Sequence, residues 1–499
     1  MRNQGLGSWP ARRARIAPDR PAMVYADQVT TYGQLAIRTT KLAHQMRAGG
    51  IAAGDRVAYL GSNHPAFVET MVATHLLGAI FVPLNFRLAE PEIDYMLTDS
   101  GAALLIHAPE CAAAVPTGTT AKTVALATEY EPWLSEGDTD PIDEPVAQDD
   151  LAYVIYTSGT TGRPKGAMLT HANQIWNTYN VLVAVDVAGD EVTLVAAPLF
   201  HVAALGMSLL PTMVKGGCAV ITPTWDVDLC YNLVDKYHVT WMFGVTAMFA
   251  SLTRSPRWSF ADLSSLRCLM SGGAPIPESL IRTYQQRGLV FCQGYGLTET
   301  SPGATFLEAA DSVRKAGSAG VAMFFTDVRL VDTDGTDVGV DQPGEVLIKG
   351  PNVTPGYWGN TSATESALTD GWFHSGDVAR QDADGYVHIV DRVKDMFISG
   401  GENVYPAQVE NVITEHPAVA EAAVVGVADE KWGEVGRVFV VCRPGADLDP
   451  DELRLFLRDR LAGYKVPVYV DVVDALPRTA SGKLRKAVLR AIPVPGQVT

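Results

Sequence analysis

The run Tyr156-Thr157-Ser158-Gly159-Thr160-Thr161-Gly162-Arg163-Pro164-Lys165-Gly166 sets hydroxyls and glycines ahead of a lysine. Such a run suits phosphate. Glycines let backbone N–H groups approach an anion, and hydroxyls donate to its oxygens. It is not a Walker loop, because the GxxxxGK[ST] spacing is absent and a strand-like stretch rather than a helix follows. A flexible Ser/Thr/Gly turn is the alternative. Further on, Gln293-Gly294-Tyr295-Gly296-Leu297-Thr298-Glu299 places a carboxylate after a glycine-framed tyrosine. Mg²⁺ keeps most of its waters and takes few protein oxygens, so a lone carboxylate beside phosphates suits it. An exposed glutamate on a turn is the bland reading. His201, after Phe200 in an apolar run, reads as a core histidine or as a group beside a pocket. Lys483, near the end of the chain, reads by itself as a solvated cation.

These residues need a scaffold. Apolar residues 151–155 precede the hydroxyl run and 167–169 follow it, which frames it as strand, loop, strand. Through the first 300 residues short β-branched runs alternate with amphipathic stretches, as in 56–60, 67–77 and 80–83, an α/β rhythm. From about residue 320 the style changes. Strands at 328–331, 344–348 and 386–390 are separated by Asp334-Gly335, Pro343-Gly344 and Asp384-Gly385 turns, which predicts a small β subdomain. Beyond 391 the pattern predicts a helix at 406–415, two strands within 419–442, a helix at 450–461 and a last strand before Lys483. Residues 112–150 are polar and turn-rich, and are expected to be a loose surface connection.

Composition narrows the partners. With 499 residues, 47% of them hydrophobic, the chain exceeds the roughly 250–300 residues at which one core stops growing, so two or three domains are expected. A net charge of −17 provides no basic field for a nucleic-acid backbone or an anionic bilayer. The six cysteines lack CxxC spacing and sit beside apolar residues, which predicts reduced, buried thiols and neither zinc nor disulfides. Arg12, Arg13 and Arg15 are followed by Pro18 and Pro21 rather than an apolar stretch, so no targeting signal is expected. No run of 18 apolar residues spans a membrane, and a cytoplasmic location is expected.

Taken in order, Tyr156–Gly166, Pro198-Leu-Phe-His201, Ser271-Gly-Gly273-Ala274-Pro275, Gln293–Glu299, Gly371-Trp-Phe-His-Ser-Gly-Asp377, Asp391-Arg392-Val-Lys394 and Pro477-Arg-Thr-Ala-Ser-Gly-Lys483 resemble the motifs of the adenylate-forming superfamily. That superfamily holds acyl-CoA synthetases, aryl-CoA ligases, luciferases and peptide-synthetase adenylation domains. The likeness covers practically the whole chain. The opening residues and 315–330 look most like bacterial feruloyl-CoA synthetases and their fatty-acyl relatives.

The resemblance implies a large N-terminal region, residues 1–391, of two α/β subdomains and a β subdomain. It further implies a hinge at 392–395 centred on Lys394, then a small mobile α+β domain at 396–499. The nucleotide would be held by Thr157, Ser158, Gly159, Thr160, Thr161, Gly162 and Lys165, by Gly273, Ala274 and Pro275, and by Gln293, Gly294, Tyr295, Gly296 and Thr298. Asp377 would accept both ribose hydroxyls. Arg392 and Asn403 would add nucleotide contacts, and Glu299 would face Mg²⁺. Catalytic roles fall to Lys483, His201, Thr298 and Glu299. Lys483 would stabilise charge developing on the α-phosphate. Gly400 and Gly401 would let the pantetheine arm of coenzyme A pass. The acyl pocket would comprise Phe200, His201, Ala203, Met207, Phe243, Gly273 and Gly294.

The activity implied is an AMP-forming ligase joining a hydrophobic acid to coenzyme A, with ATP and Mg²⁺. A hydroxycinnamate is preferred over a medium- or long-chain fatty acid. Amino-acid-activating relatives carry Asp near position 201 to pair with the substrate ammonium, and its absence argues against an amino acid. Two rivals stand beside this reading. One passes the acyl group to a carrier protein in trans. The other is a nucleotide-binding regulator, disfavoured by the joint presence of Thr160, Glu299, Asp377 and Lys483. A homodimer is left open.

Overall fold

The structure, a computed structural model, describes residues 2–157, 164–273, 276–289, 291–392, 395–399, 402–429, 432–461, 463–479 and 484–494, with the side chains of 392, 402 and 403 outside that description. By internal contact the chain divides into two units. One comprises 1–328, 347–374 and 385–387, the other 329–346, 375–384 and 388–499.

Two sheets build the first unit. Its seven-stranded sheet runs Gly356–Tyr357, Lys165–Thr170, Leu151–Thr157, Ile80–Leu84, Arg56–Leu60, Ala102–His107, Lys122–Ala125. From Leu151–Thr157 outward to Lys122–Ala125 the pairs are parallel, and near-continuous apolar strands such as Ile80–Leu84 are what burial on both faces requires. The nine-stranded sheet has a parallel centre, in the order Phe291–Gly296, Cys268–Gly272, Trp241–Gly244, Val192–Val195, Cys218–Ile221, Pro21–Tyr25. Gly303–Leu307 returns antiparallel on Phe291–Gly296.

Two helices of this unit carry polar groups inward. Every residue from Ala66 to Leu76 of the helix Pro65–Leu76 is buried. Its Glu69 is satisfied by Arg38 Nε at 2.5 Å and by the Tyr130 hydroxyl at 2.8 Å. The helix His171–Ala184 starts from a Thr170 capping box and buries Asn173, Gln174, Asn177 and Asn180. Burying an amide costs free energy unless it is bonded; Asn173, Asn177 and Asn180 are bonded, whereas the Gln174 amide has no partner among the described residues. Asn173 Nδ2 donates to the carbonyls of Pro351 and Val353, and Asn177 Nδ2 donates to that of Gly206, so the helix ties distant loops together.

The strands expected beyond residue 320 are present as Asp327–Val331, Gly344–Lys349 and Val387–Arg392, with Leu368–Thr369 and Trp372–Gln381 in the same sheet. In the C-terminal region the helices Pro406–Thr414 and Pro450–Arg458 accompany the antiparallel strands Val419–Asp429 and Gly433–Cys442, an α+β arrangement. Val409, Ile413, Val424, Val438, Leu453 and Leu457 form its core. Arg437 is almost fully buried there. It donates to Asp471 and to the carbonyls of Ile492 and Pro493.

Residues 112–150 are not the loose connection expected. They supply the edge strand Lys122–Ala125 and the helix Glu131–Ser135, and they bury Tyr130 and Leu134. The polar composition concealed several anchors, of which Tyr130 satisfies Glu69. No helix among the described residues is long and apolar enough to cross a membrane.

Candidate active site

The hydroxyl run hangs from a hairpin. Thr157 pairs with Lys165 and Tyr156 with Gly166 across Leu151–Thr157 and Lys165–Thr170. Residues 158–163 between them, including Ser158, Gly159, Thr160, Thr161 and Gly162, lie outside the described residues. The base of the loop is pinned from two sides. Tyr95 donates its hydroxyl to the Pro164 carbonyl at 3.2 Å, and Tyr156 donates to Asp99 Oδ2 at 2.7 Å. From the other side the Trp358 N–H donates to the Gly166 carbonyl at 2.8 Å. The Lys165 ammonium stands 5.4 Å from the centroid of the Tyr357 ring.

The second element is a turn at the carboxyl end of a parallel strand, where open α/β sheets bind ligands. Phe291–Gly296 ends in Gly294-Tyr295-Gly296 and passes into the short helical turn Thr298–Thr300. Glu299 is only 7% exposed. Its Oε1 accepts from the Tyr357 hydroxyl at 2.8 Å, and its carbonyl accepts from the Thr354 N–H at 2.7 Å. Burial, and then the neighbouring Glu299 charge, raise the Tyr357 pKa above its ordinary value, so the phenol keeps its proton and donates. Asn352, fully buried, donates to the carbonyls of Thr300 and Gly303 and holds the far side of the turn. Segment 352–358 thus brings Glu299, Thr300 and the Lys165 strand into one site.

This arrangement fits a magnesium nucleotide. Among the described residues, Oε2 of Glu299 has no hydrogen-bond partner, which leaves one hard oxygen for a cation. Ser271 and Gln293 are in register on adjacent strands, one residue before Gly272 and Gly294. Ser271 Oγ and Gln293 Nε2 are buried without a partner among the described residues. Buried polar atoms are seldom left unbonded, so this pair suits a ligand with a hydrogen-bonding edge. Gly273, at φ +82°, occupies the left-handed region, and a β-carbon there would meet nothing within 4 Å.

An aromatic group accompanies the Phe200 segment. Phe200 and His201 have ring centroids 4.3 Å apart, and Phe86 meets Phe200 edge-on at 5.6 Å. Phe200, Met207 and Phe243 are buried, while His201 and Ala203 are half-buried. Asn177 links this segment to the Glu299 turn, donating to the Gly206 carbonyl and accepting from the Gly303 N–H.

Asp377, Arg392 and Asn403 belong to the second unit. Asp377 is buried in Trp372–Gln381, its N–H donating to Ser375 Oγ at 3.0 Å. Arg392 ends the strand Val387–Arg392 and Asn403 lies in Glu402–Val404, their side chains outside the description. Ala274, Pro275, Lys394, Gly400, Gly401 and Lys483 lie outside the described residues. Sequence reasoning missed Tyr357, Asn352, Asn177, Tyr95 and Phe86. Their partners are remote in the chain, and the only local hint was the Pro355-Gly356 turn ahead of Tyr357.

Residues 10–358 match the family of AMP-binding enzymes, and 408–483 match the AMP-binding enzyme C-terminal domain. The chain is similar to feruloyl-CoA synthase of Amycolatopsis, 53% identical over 98% of this chain and 99% of that one. It is also similar to a long-chain-fatty-acid–CoA ligase of Mycobacterium tuberculosis, 38% identical over 98% of each. Among solved structures it is similar to the o-succinylbenzoate coenzyme A synthetase of Bacillus subtilis in complex with ATP and magnesium ion. That match has a TM-score of 0.88 and 32% identity over 97% of this chain and 98% of that one. The chain belongs to the AMP-binding enzyme family. Its activity is that of an AMP-forming carboxylic acid–CoA ligase, with ATP, Mg²⁺ and coenzyme A.

Proposed function

We propose that the acid is a flat aromatic one, a hydroxycinnamate such as ferulate, used ahead of medium- and long-chain fatty acids. The observation that carries this is the 53% identity with feruloyl-CoA synthase across nearly all of both chains, against 38% with the fatty-acid ligase. The rings of Phe86, Phe200 and His201 support it, as does the open space at Gly273. Ala203 leaves volume that an alkyl chain would also fill. One small side chain is worth only about 1–3 kcal/mol of discrimination, so activities overlap.

The acid is ionised at neutral pH and attacks the α-phosphorus of ATP directly, with pyrophosphate leaving and no general base required. The thiol of coenzyme A then attacks the acyl carbon, and AMP leaves. Thr157, the 158–162 loop and Lys165 cradle the phosphates, and Gly273–Pro275 with Gln293–Gly296 line the nucleotide. Glu299, beside Thr298, would hold Mg²⁺, which when bound neutralises phosphate charge. Asp377, Arg392 and Asn403 position the nucleotide, and Lys483 stabilises charge at the α-phosphate in the first step. Rotation about Lys394, between 1–391 and 396–499, then exchanges Lys483 for a coenzyme A channel to which Gly400 and Gly401 contribute. The free, scattered cysteines support work in a reducing cytoplasm, and the net charge of −17 supports small-molecule substrates rather than nucleic acid. Sedimentation of the full chain tests whether it forms a homodimer.

The test compares kcat/KM for ferulate, 4-coumarate, octanoate and palmitate. A palmitate value above ferulate by about tenfold or more would overturn the aryl assignment and leave the ligase assignment standing.

A further inference from the structure

Glu299 is the one carboxylate read as facing Mg²⁺, and among the described residues its side chain has a single hydrogen bond, the 2.8 Å contact from Tyr357. The same tyrosine lies under the ammonium of Lys165, 5.4 Å from ring centroid to Nζ. Its own position is set by backbone. Tyr357 pairs with Ala167 on the strand that begins at Lys165, and its N–H donates to Thr364 Oγ1 at 2.9 Å. The next N–H, of Trp358, donates to the Gly166 carbonyl. One residue, clamped to the phosphate strand, therefore touches both the acid of the turn and the lysine of the loop. The hydroxyl engages one carboxylate oxygen and leaves the other, while the ring face favours a cation above it.

We propose that Tyr357 is a positioning residue for adenylate formation: its hydroxyl aims Glu299 at the magnesium of Mg·ATP, and its ring holds Lys165 in place for the phosphates. This rests on the reading of Glu299 as the magnesium-facing carboxylate. Hydrogen-bond partners of metal-binding carboxylates typically contribute about 10–100-fold to metal affinity. Tyr357→Phe removes the hydroxyl and keeps the ring, so it separates the two contacts.

The test measures Mn²⁺ binding to the full chain by electron paramagnetic resonance, with α,β-methylene-ATP present, for the parent, Tyr357→Phe, Glu299→Gln and the double variant. Tyr357→Phe is expected to weaken Mn²⁺ by about tenfold while metal-free nucleotide affinity stays within about twofold. Glu299→Gln is expected to weaken it at least as much, and the double variant no further than Glu299→Gln alone, because the two act through one contact. If Glu299→Gln weakens Mn²⁺ and Tyr357→Phe does not, the positioning role is wrong and the Glu299 reading stands. If neither variant weakens it, the Glu299 reading fails and takes the proposal with it.

Discussion

Gly296→Ala tests how tightly the glutamate turn is built. Gly296 ends the strand Phe291–Gly296 and pairs with Gly303 across the antiparallel neighbour. A β-carbon added there would stand 1.7 Å from the Pro302 carbonyl oxygen and 3.1 Å from Thr300 Oγ1. Non-bonded atoms of this kind settle near 3.5 Å, so the strand end and the segment at Pro302 must part by more than about 1 Å. Thr298, Glu299 and Thr300 lie in the chain between those two walls and must move with one of them. A misplacement of about 1 Å costs on the order of 10²-fold in rate, equal to about 2.7 kcal/mol on the barrier. Overpacking adds about 1–3 kcal/mol of lost stability, small enough for a large domain to remain folded. The assay is pyrophosphate exchange at saturating acid, read as kcat/KM for Mg·ATP, with a thermal melt of the same sample. A folded variant within about threefold of the parent would refute the reasoning, because the turn could then move by an ångström without consequence.

Lys483→Ala should lower adenylate formation by about 10²–10³-fold while sparing thioester formation from supplied acyl-AMP; equal loss in both half-reactions would contradict that division. Lys394→Pro should leave pyrophosphate release near normal and slow thioester formation severely, since proline fixes φ at the rotating position; unchanged thioester formation would place the hinge elsewhere. Arg437→Ala leaves Asp471 without its buried partner and strips donors from the carbonyls of Ile492 and Pro493. It should cost about 3 kcal/mol in urea unfolding of the C-terminal transition. A change under about 1 kcal/mol would show that the buried guanidinium does not hold the chain end.

The strand–loop–strand frame at 151–170 was legible because apolar runs flank the hydroxyls and periodicity reports burial. The α+β C-terminal pattern was legible for the same reason, with helices now bounded as Pro406–Thr414 and Pro450–Arg458. Contacts between remote residues were not. Tyr357 reaches Glu299 from 58 positions away, and Asn177 reaches Gly303 from 126, and neither separation leaves a local trace. Composition misled at 112–150, where polar residues outnumber the buried anchors Val124, Tyr130, Leu134 and Val146. Buried asparagines on the helix His171–Ala184 were equally invisible, since an amide reads as surface until the carbonyls it satisfies are known.

The most direct measurement supplies ferulate and ATP labelled at the α-phosphate, first without and then with coenzyme A, and follows every product. Without coenzyme A, enzyme-bound feruloyl-AMP should form with one pyrophosphate released for each adenylate. With it, the label should leave as AMP in step with feruloyl-CoA. Label appearing in ADP, with inorganic phosphate instead of pyrophosphate, would contradict the adenylate route.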